Sequence, residues 1–178
     1  MAILKRNRKI ALPEAQKIVN RAFITSTLRQ AVIHYYAHKR FSCYAELGVL
    51  PWGKRRLDVF AMNMKGRFVG VEIKSCLADY RTDLKWREYL EHVNKFYFCI
   101  PATLYDKIGD ELRATCRAVG AGIMILNALT GHIEIKLNAR DRDMDRKNKI
   151  RLLLKVAWRG GESKRTIKRR KRLYLTDT

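Results

Sequence analysis

The chain is short of acid. Only 17 Asp and Glu stand against 38 Lys and Arg in 178 residues, which leaves a formal charge of +21. That balance is far from an ordinary cytosolic enzyme, and a field of that sign attracts polyanions: nucleic acid first, an anionic membrane surface as the rival. The chain also lacks any apolar run near the ~18 residues that a membrane span needs. Its amino terminus is basic (Lys5, Arg6, Arg8, Lys9), but Pro13, Glu14, Gln16 and Lys17 interrupt the apolar core that a signal peptide requires. These absences set the expectation of a cytoplasmic, nucleic-acid-associated protein. No Cys-x-x-Cys pair occurs among Cys43, Cys76, Cys99 and Cys116, which argues against a zinc knuckle or a dithiol redox motif. All four lie in apolar-patterned segments and are expected as buried, reduced thiols. His34 and His38 have the i, i+4 spacing of two ligands on one helix face, yet no Glu follows His34 and no third ligand is evident, so a structural or surface role is expected. There is no internal repeat and no RRM or KH signature.

What is present is a grammar of strands and helices long enough to bury a substantial core. Residues 1–12 read as a basic arm. Pro13 is placed to open a short helix, and a longer one follows with Ile24, Leu28, Ala31, Val32 and Tyr35 at helical spacing. Residues 42–48 alternate, with Cys43, Ala45 and Leu47 on one side and Tyr44 and Glu46 on the other, which predicts a strand. After a turn at Leu50-Pro51-Trp52-Gly53, two strands (Arg56–Asn63 and Arg67–Lys74) flank Met64-Lys65-Gly66, a short loop ending on the residue that enters the left-handed region cheaply. Asp79 to about Asn94 predicts one helix, with Asp79 as its N-cap and Trp86, Tyr89, Leu90 and Val93 on an apolar stripe. A buried strand at Phe96–Ile100 stops at Pro101. A helix carrying Leu104, Ile108, Leu112 and Cys116 leads to Gly120-Ala121-Gly122, and the strands Ile123–Leu126 and His132–Leu137 follow. Asp141, Asp143 and Asp145 precede a last helix with Ile150, Leu153, Leu154 and Ala157, where acids favour the helix dipole. The domain is read as 13–158 and a basic tail as 159–178. Connections through helices permit parallel pairing and the hairpin demands antiparallel pairing, so the fold class is α/β, a mixed sheet flanked by helices.

The hairpin carries the chemistry. If it folds about Lys65, residues whose numbers sum to 130 face each other, and Asp58 lies opposite Glu72; a two-residue turn at Lys65-Gly66 offsets them by one position and still leaves them neighbours. Glu72 and Lys74, two apart on one strand, share a face. Two carboxylates side by side disfavour folding unless a positive charge sits between them. A hard divalent cation does this, and Mg²⁺ takes one or two carboxylates with water and phosphate oxygens. Asp58 and Glu72 are therefore the expected metal ligands for Mg²⁺ or Mn²⁺, with Lys74 as the group that holds the attacking water or offsets charge on the phosphate. The rival reading is a surface Glu72–Lys74 pair of little consequence.

Four segments together, Arg56-Leu57-Asp58-Val59-Phe60-Ala61, Val71-Glu72-Ile73-Lys74-Ser75, Asp79-Tyr80-Arg81-Thr82-Asp83-Leu84-Lys85-Trp86 and Phe96-Tyr97-Phe98, resemble the MmcB-type DNA-repair proteins, a compact branch of the PD-(D/E)XK nuclease superfamily. The resemblance spans roughly residues 42–158. It implies a restriction-endonuclease-like αβββαβ core, here with an α/β extension and a basic C-terminal tail. It also implies that Asp58 and Glu72 bind metal and that Lys74 is the catalytic lysine. A further acid on an early element is common in the superfamily, and Glu46 is the candidate. Leu57 stands where the superfamily's name has proline.

Beside the triad, Arg81 and Lys85 are placed to reach substrate phosphates, and Trp86 reads as core. Lys164, Arg165, Lys168, Arg169, Arg170, Lys171 and Arg172 form a charge run with only Thr166 and Ile167 between them, expected to contact backbone phosphates in a salt-dependent way. The expected function is a metal-dependent DNA nuclease in repair, recombination or a mobile element. The expected partners are DNA and a divalent metal, with a second copy of the chain as a candidate and no membrane. Two alternatives stand beside it: a catalytically silent nuclease fold kept for DNA binding, and a basic RNA- or ribosome-associated protein.

Overall fold

A computed structural model describes residues 14–50, 55–127 and 129–160. The basic arm, the turn at Pro51-Trp52-Gly53 and the tail cations from Lys164 to Arg172 lie outside the described residues. The elements run α1 (Glu14–His38), β1 (Ser42–Gly48), β2 (Arg56–Met62), β3 (Phe68–Ile73), α2 (Leu77–Thr82), a 3-10 helix (Lys85–His92), β4 (Lys95–Pro101), α3 (Ala102–Val119), β5 (Gly122–Leu126), β6 (Ile133–Leu137) and α4 (Arg146–Gly160). One compact unit runs through Asp143, and α4 falls in a second that starts at Met144. No described helix is long and apolar enough to cross a membrane.

The six strands form one mixed sheet in sequence order. β1–β2, β2–β3 and β5–β6 are antiparallel, and β3–β4 and β4–β5 are parallel. Parallel strands with helices on both faces must be apolar on both faces, and every residue of β3 (Phe-Val-Gly-Val-Glu-Ile) is buried. α1 lays Leu28, Val32 and Tyr36 on Val59, Ala61, Val69, Val71, Ile73, Tyr97 and Cys99. The alternate residues carry an aromatic layer on the other face, where Trp86 packs 5.1 Å from Phe98 and 6.1 Å from Phe96, and Tyr80 lies 6.1 Å from Phe98. Tyr80 Oη also donates to Thr115 Oγ1 at 3.4 Å, tying α2 to α3.

The hairpin folds as its sequence predicts. Val59 pairs with Val71 and Ala61 with Val69, the register that turns on Lys65. Gly66 closes the loop at φ 66°, and Asn63 Oδ1 accepts from the N–H groups of Lys65 and Arg67, both at 3.0 Å. Four expectations are corrected. The helix divided after Pro13 is one continuous helix from Glu14 to His38, because no glycine or proline interrupts that stretch. The single helix over 79–94 breaks at Asp83, which is extended and separates α2 from the 3-10 helix. Asp79 is not the N-cap of α2; Cys76 occupies that position, and Asp79 sits in the first turn, where its Oδ2 accepts from the Ser75 N–H at 3.4 Å. Cys99 and Cys116 are buried free thiols as expected, but Cys43 and Cys76 are only half-buried, one on the edge strand β1 and the other at a helix start. Trp86 is core, 2% exposed, and His34 and His38 are exposed.

In the second unit, Asp145 Oδ2 accepts from the Asn148 N–H at 3.0 Å, so the acid before α4 caps it.

Candidate active site

Three strands bring three acids into line. The pairs Ala45↔Val59 and Leu47↔Leu57 set Glu46 of β1 opposite Asp58 of β2. One step beyond Val59↔Val71, Asp58 stands opposite Glu72 of β3. Here the β2–β3 ladder ends, while β3 stays paired with β4. The Ile73 N–H donates to Asp58 Oδ2 at 2.7 Å, and the Lys74 N–H donates to the Cys99 carbonyl of β4 at 3.0 Å. Glu46 itself has a left-handed backbone, φ 53°. This conformation is rare for a side chain with a Cβ, and β1 runs on through it to Gly48.

Glu72 and Lys74 are not a surface pair: they are 7% and 2% exposed. Lys74 Nζ donates to Glu72 Oε1 at 3.2 Å and to Asp83 Oδ2 at 2.6 Å, with Asp79 Oδ1 at 4.0 Å. The break between α2 and the 3-10 helix thus has a use, since it turns Asp83 inward onto the lysine while its Oδ1 takes the Lys85 N–H at 2.9 Å. On the other side, Arg29 of α1 reaches Glu46 Oε1 at 2.7 Å and Asp58 Oδ1 at 3.7 Å. Five carboxylates (Glu46, Asp58, Glu72, Asp79, Asp83) therefore share two cations (Arg29, Lys74) in a chain of large positive charge.

The electrostatics follow from that shortage. Burial first, and then the Asp58 charge, push the Glu72 carboxyl from its ordinary 4.5 up to about 8, against the opposing pull of Lys74. Burial and Glu46 raise Asp58, with the Ile73 N–H, Arg29 and Lys74 working the other way. Burial works against the Lys74 ammonium, but Glu72, Asp83 and Asp79 outweigh it and hold its pKa above the usual lysine value. Burial alone would raise Asp83, yet the Lys74 and Lys85 hydrogen bonds bring it below the ordinary value.

Glu72 Oε2 is buried with no hydrogen-bond partner, an acceptor left without a donor at a cost that a bound cation would offset. Among the described residues no group of three or more His, Cys, Asp and Glu side chains is gathered as a cation cage. A two-carboxylate site is what Mg²⁺ accepts, its remaining positions going to water and phosphate, so Asp58 and Glu72 fit the ion as a pair.

Of the other expected site residues, Arg81 and Lys85 fall among the described residues. Arg81 is exposed on α2 and pairs with Glu111 at 3.1 Å. Lys85 is exposed at the start of the 3-10 helix beside Asp83. Two residues of the cluster had no role assigned from sequence. Arg29 is legible in the sequence only as a cation next to the apolar stripe of α1, and Asp83 only as an acid inside a stretch that reads as one helix.

A pH dependence follows. Between about 4.5 and 8 the folded chain binds a proton at Glu72 that the unfolded chain has released. Stability contributed by the neutral form is thus present below 4.5 and lost as pH rises towards 8, by up to about 1.4 kcal/mol per pH unit. Asp58, also raised, acts in the same direction, whereas Asp83 is lowered and Lys74 raised, so both titrate outside this window. Urea unfolding in EDTA at pH 5, 6.5 and 8 is expected to show a falling midpoint, flattened by Glu72→Gln. A midpoint that rises over this range contradicts the account of Glu72.

Comparison with known proteins bears on the fold and the family. A solved structure of SPO1766, a protein of unknown function from Silicibacter pomeroyi, is 23% identical, with a TM-score of 0.62 over 86% of this chain and 92% of that one. It shares the fold. An XisH family protein from Nostoc punctiforme is 18% identical, with a TM-score of 0.42 over 63% of this chain and 99% of that one. None of the curated proteins matches. The family described as DNA repair protein MmcB-like matches residues 14–152, a span that holds Arg29, Glu46, Asp58, Glu72, Lys74 and Asp83. On that match, which covers most of its length and the whole site, the chain belongs to the MmcB-like family of DNA repair proteins.

Proposed function

We propose that the chain is a metal-dependent DNA nuclease of the PD-(D/E)XK type, hydrolysing phosphodiester bonds at Asp58, Glu72 and Lys74. The observation that carries this reading is the buried Glu72–Lys74 pair beside Asp58, with one Glu72 oxygen left without a donor. Burying a lysine and an acid costs more than a well-packed apolar pair would, and a structural core has no need of them. Asp58 and Glu72 would hold Mg²⁺ or Mn²⁺, and such an ion, when bound, polarises a phosphodiester and lowers the pKa of its water by several units. Glu72, Asp83 and Asp79 keep Lys74 protonated, and hydrogen bonds to Glu72 and Asp83 hold its ammonium in place, so that it donates to the attacking water or to the phosphate oxygen where charge grows. The Ile73 N–H fixes Asp58 Oδ2, and Arg29 Nη2 lies 3.7 Å from Asp58 Oδ1. The overall charge of +21 supplies the attraction for the DNA backbone, with Arg81, Lys85 and the tail cations as its proposed contacts.

The second reading, a nuclease fold that binds DNA without cutting it, is favoured by one observation: no group of three or more ligating side chains gathers among the described residues. Metal dependence separates the two. Cleavage is expected with Mg²⁺ or Mn²⁺ and is expected to stop in EDTA, while Ca²⁺, larger and looser in geometry, supports binding better than chemistry. Cutting that continues undiminished in EDTA rejects the metal mechanism.

A further inference from the structure

We propose that Arg29 sets the cation affinity of the Asp58–Glu72 pair and makes it conditional on a bound phosphate. This rests on the reading of that pair as a divalent-cation site. Leu28 and Val32, 1% and 0% exposed, seat α1 on the sheet, and Arg29, next to Leu28, is thereby carried to the β1–β2 edge. Its Nη2 lies 2.7 Å from Glu46 Oε1 and 3.7 Å from Asp58 Oδ1, so a full positive charge stands against one of the two cation ligands. Glu46, the acid that balances it, has a side chain 44% exposed and hence screened by water.

The site contains two unsatisfied buried atoms of opposite kind. Glu72 Oε2 is an acceptor with no donor, and Arg29 Nε is a donor with no acceptor. An acceptor of this sort is satisfied by a cation, and a guanidinium N–H by an oxyanion, for which Arg is the best-suited side chain. A cation and a phosphate together complete both, and neither does so alone. With Arg29 unneutralised, a divalent ion at Asp58 meets its repulsion; with a phosphate on Arg29, that repulsion is cancelled. Linkage makes the effect reciprocal, so the ion strengthens phosphate binding by the same factor. The protein then loads metal chiefly when nucleic acid is in place.

The test is a binding measurement on the full chain. Free Mn²⁺ is followed by electron paramagnetic resonance for wild type, Arg29→Gln, Arg29→Lys and Glu72→Gln, with and without a nuclease-resistant phosphorothioate duplex. Mn²⁺ held by the duplex alone is subtracted. Without duplex, Arg29→Gln is expected to bind Mn²⁺ about tenfold more tightly than wild type, the scale of one unit charge a few ångströms from a divalent ion. Arg29→Lys, which keeps the charge, stays near wild type. Adding the duplex tightens wild type and closes most of the gap. A purely structural Arg29 gives the opposite sign, with weaker Mn²⁺ binding once its acids are released. Equal or weaker binding by Arg29→Gln with unchanged circular dichroism overturns the proposal, as does a wild-type affinity that the duplex leaves unchanged, an arm that needs no variant. If Glu72→Gln binds Mn²⁺ as wild type does, the ion is not at this pair, and the reading of the site fails together with the inference.

Discussion

Glu72→Gln is expected to lower the rate of DNA cleavage by about a thousandfold or more while raising the melting temperature in EDTA at pH 8. The two effects have one cause. The side chain is buried, half of its carboxylate has no partner, and its pKa is pushed up to about 8 by burial and by Asp58. Ionised, it opposes folding; in its proposed role as a metal ligand it is needed ionised. The amide keeps the volume and can still accept from Lys74, so the fold is retained and the buried charge is gone. A gain of 1–2 kcal/mol corresponds to several degrees for a domain of this size. Loss of an electrostatic group acting on the developing phosphate charge accounts for the rate, since single groups of this kind are worth roughly a hundred- to a thousandfold and a ligand also carries the ion. Asp58→Asn is expected to be as inactive. DNA binding by both variants is expected to be kept or strengthened, because an anion facing phosphate has been removed. A variant that is both inactive and more stable is the signature of a functional group held against the interest of the fold. Cleavage by Glu72→Gln at the wild-type rate removes the assignment.

Lys74→Met is expected to be the most destabilising single change at the site, by roughly 3–5 kcal/mol, because it strips a buried ion pair of one partner only. The ammonium satisfies Glu72 Oε1 at 3.2 Å and Asp83 Oδ2 at 2.6 Å; without it the buried Glu72 loses its cation and the half-buried Asp83 keeps only the Lys85 N–H. The double variant Glu72→Gln/Lys74→Met is expected to recover part of this loss, since the acid most deeply buried is then neutral, and a double-mutant cycle in urea measures the coupling. Cleavage is lost in both. A single Lys74→Met variant whose midpoint stays within about 0.5 kcal/mol of wild type, the ordinary range for an uninvolved surface position, contradicts the buried network.

The parts of the site that were legible in the sequence are those set by local geometry. A three-residue turn ending in Gly66 fixes the register of β2 against β3, and the two-residue period of a strand puts Glu72 and Lys74 on one face. Burial of β3 follows from its unbroken apolar character around those two polar residues. The rest depends on tertiary placement. Arg29 and Glu46 are 17 residues apart and meet only because α1 crosses the sheet at β1. Asp83 turns inward because the chain leaves the helix there, a break that the apolar stripe of Trp86 and Tyr89 conceals by continuing the pattern on a 3-10 helix. The left-handed backbone of Glu46 has no signature in residue type, since glycine, asparagine and aspartate are the side chains that advertise it.

The central claim is that a member of a DNA repair family cuts DNA with these residues. The most direct measurement incubates supercoiled, linear, single-stranded and branched DNA with Mg²⁺, using wild-type protein and Glu72→Gln purified side by side, with binding to each DNA measured in the same buffer. The account predicts that both proteins bind, that wild type cuts at least one of these substrates, and that Glu72→Gln cuts none. Wild-type protein that binds every DNA and cuts none, or a Glu72→Gln variant that cuts as well as wild type, would contradict it.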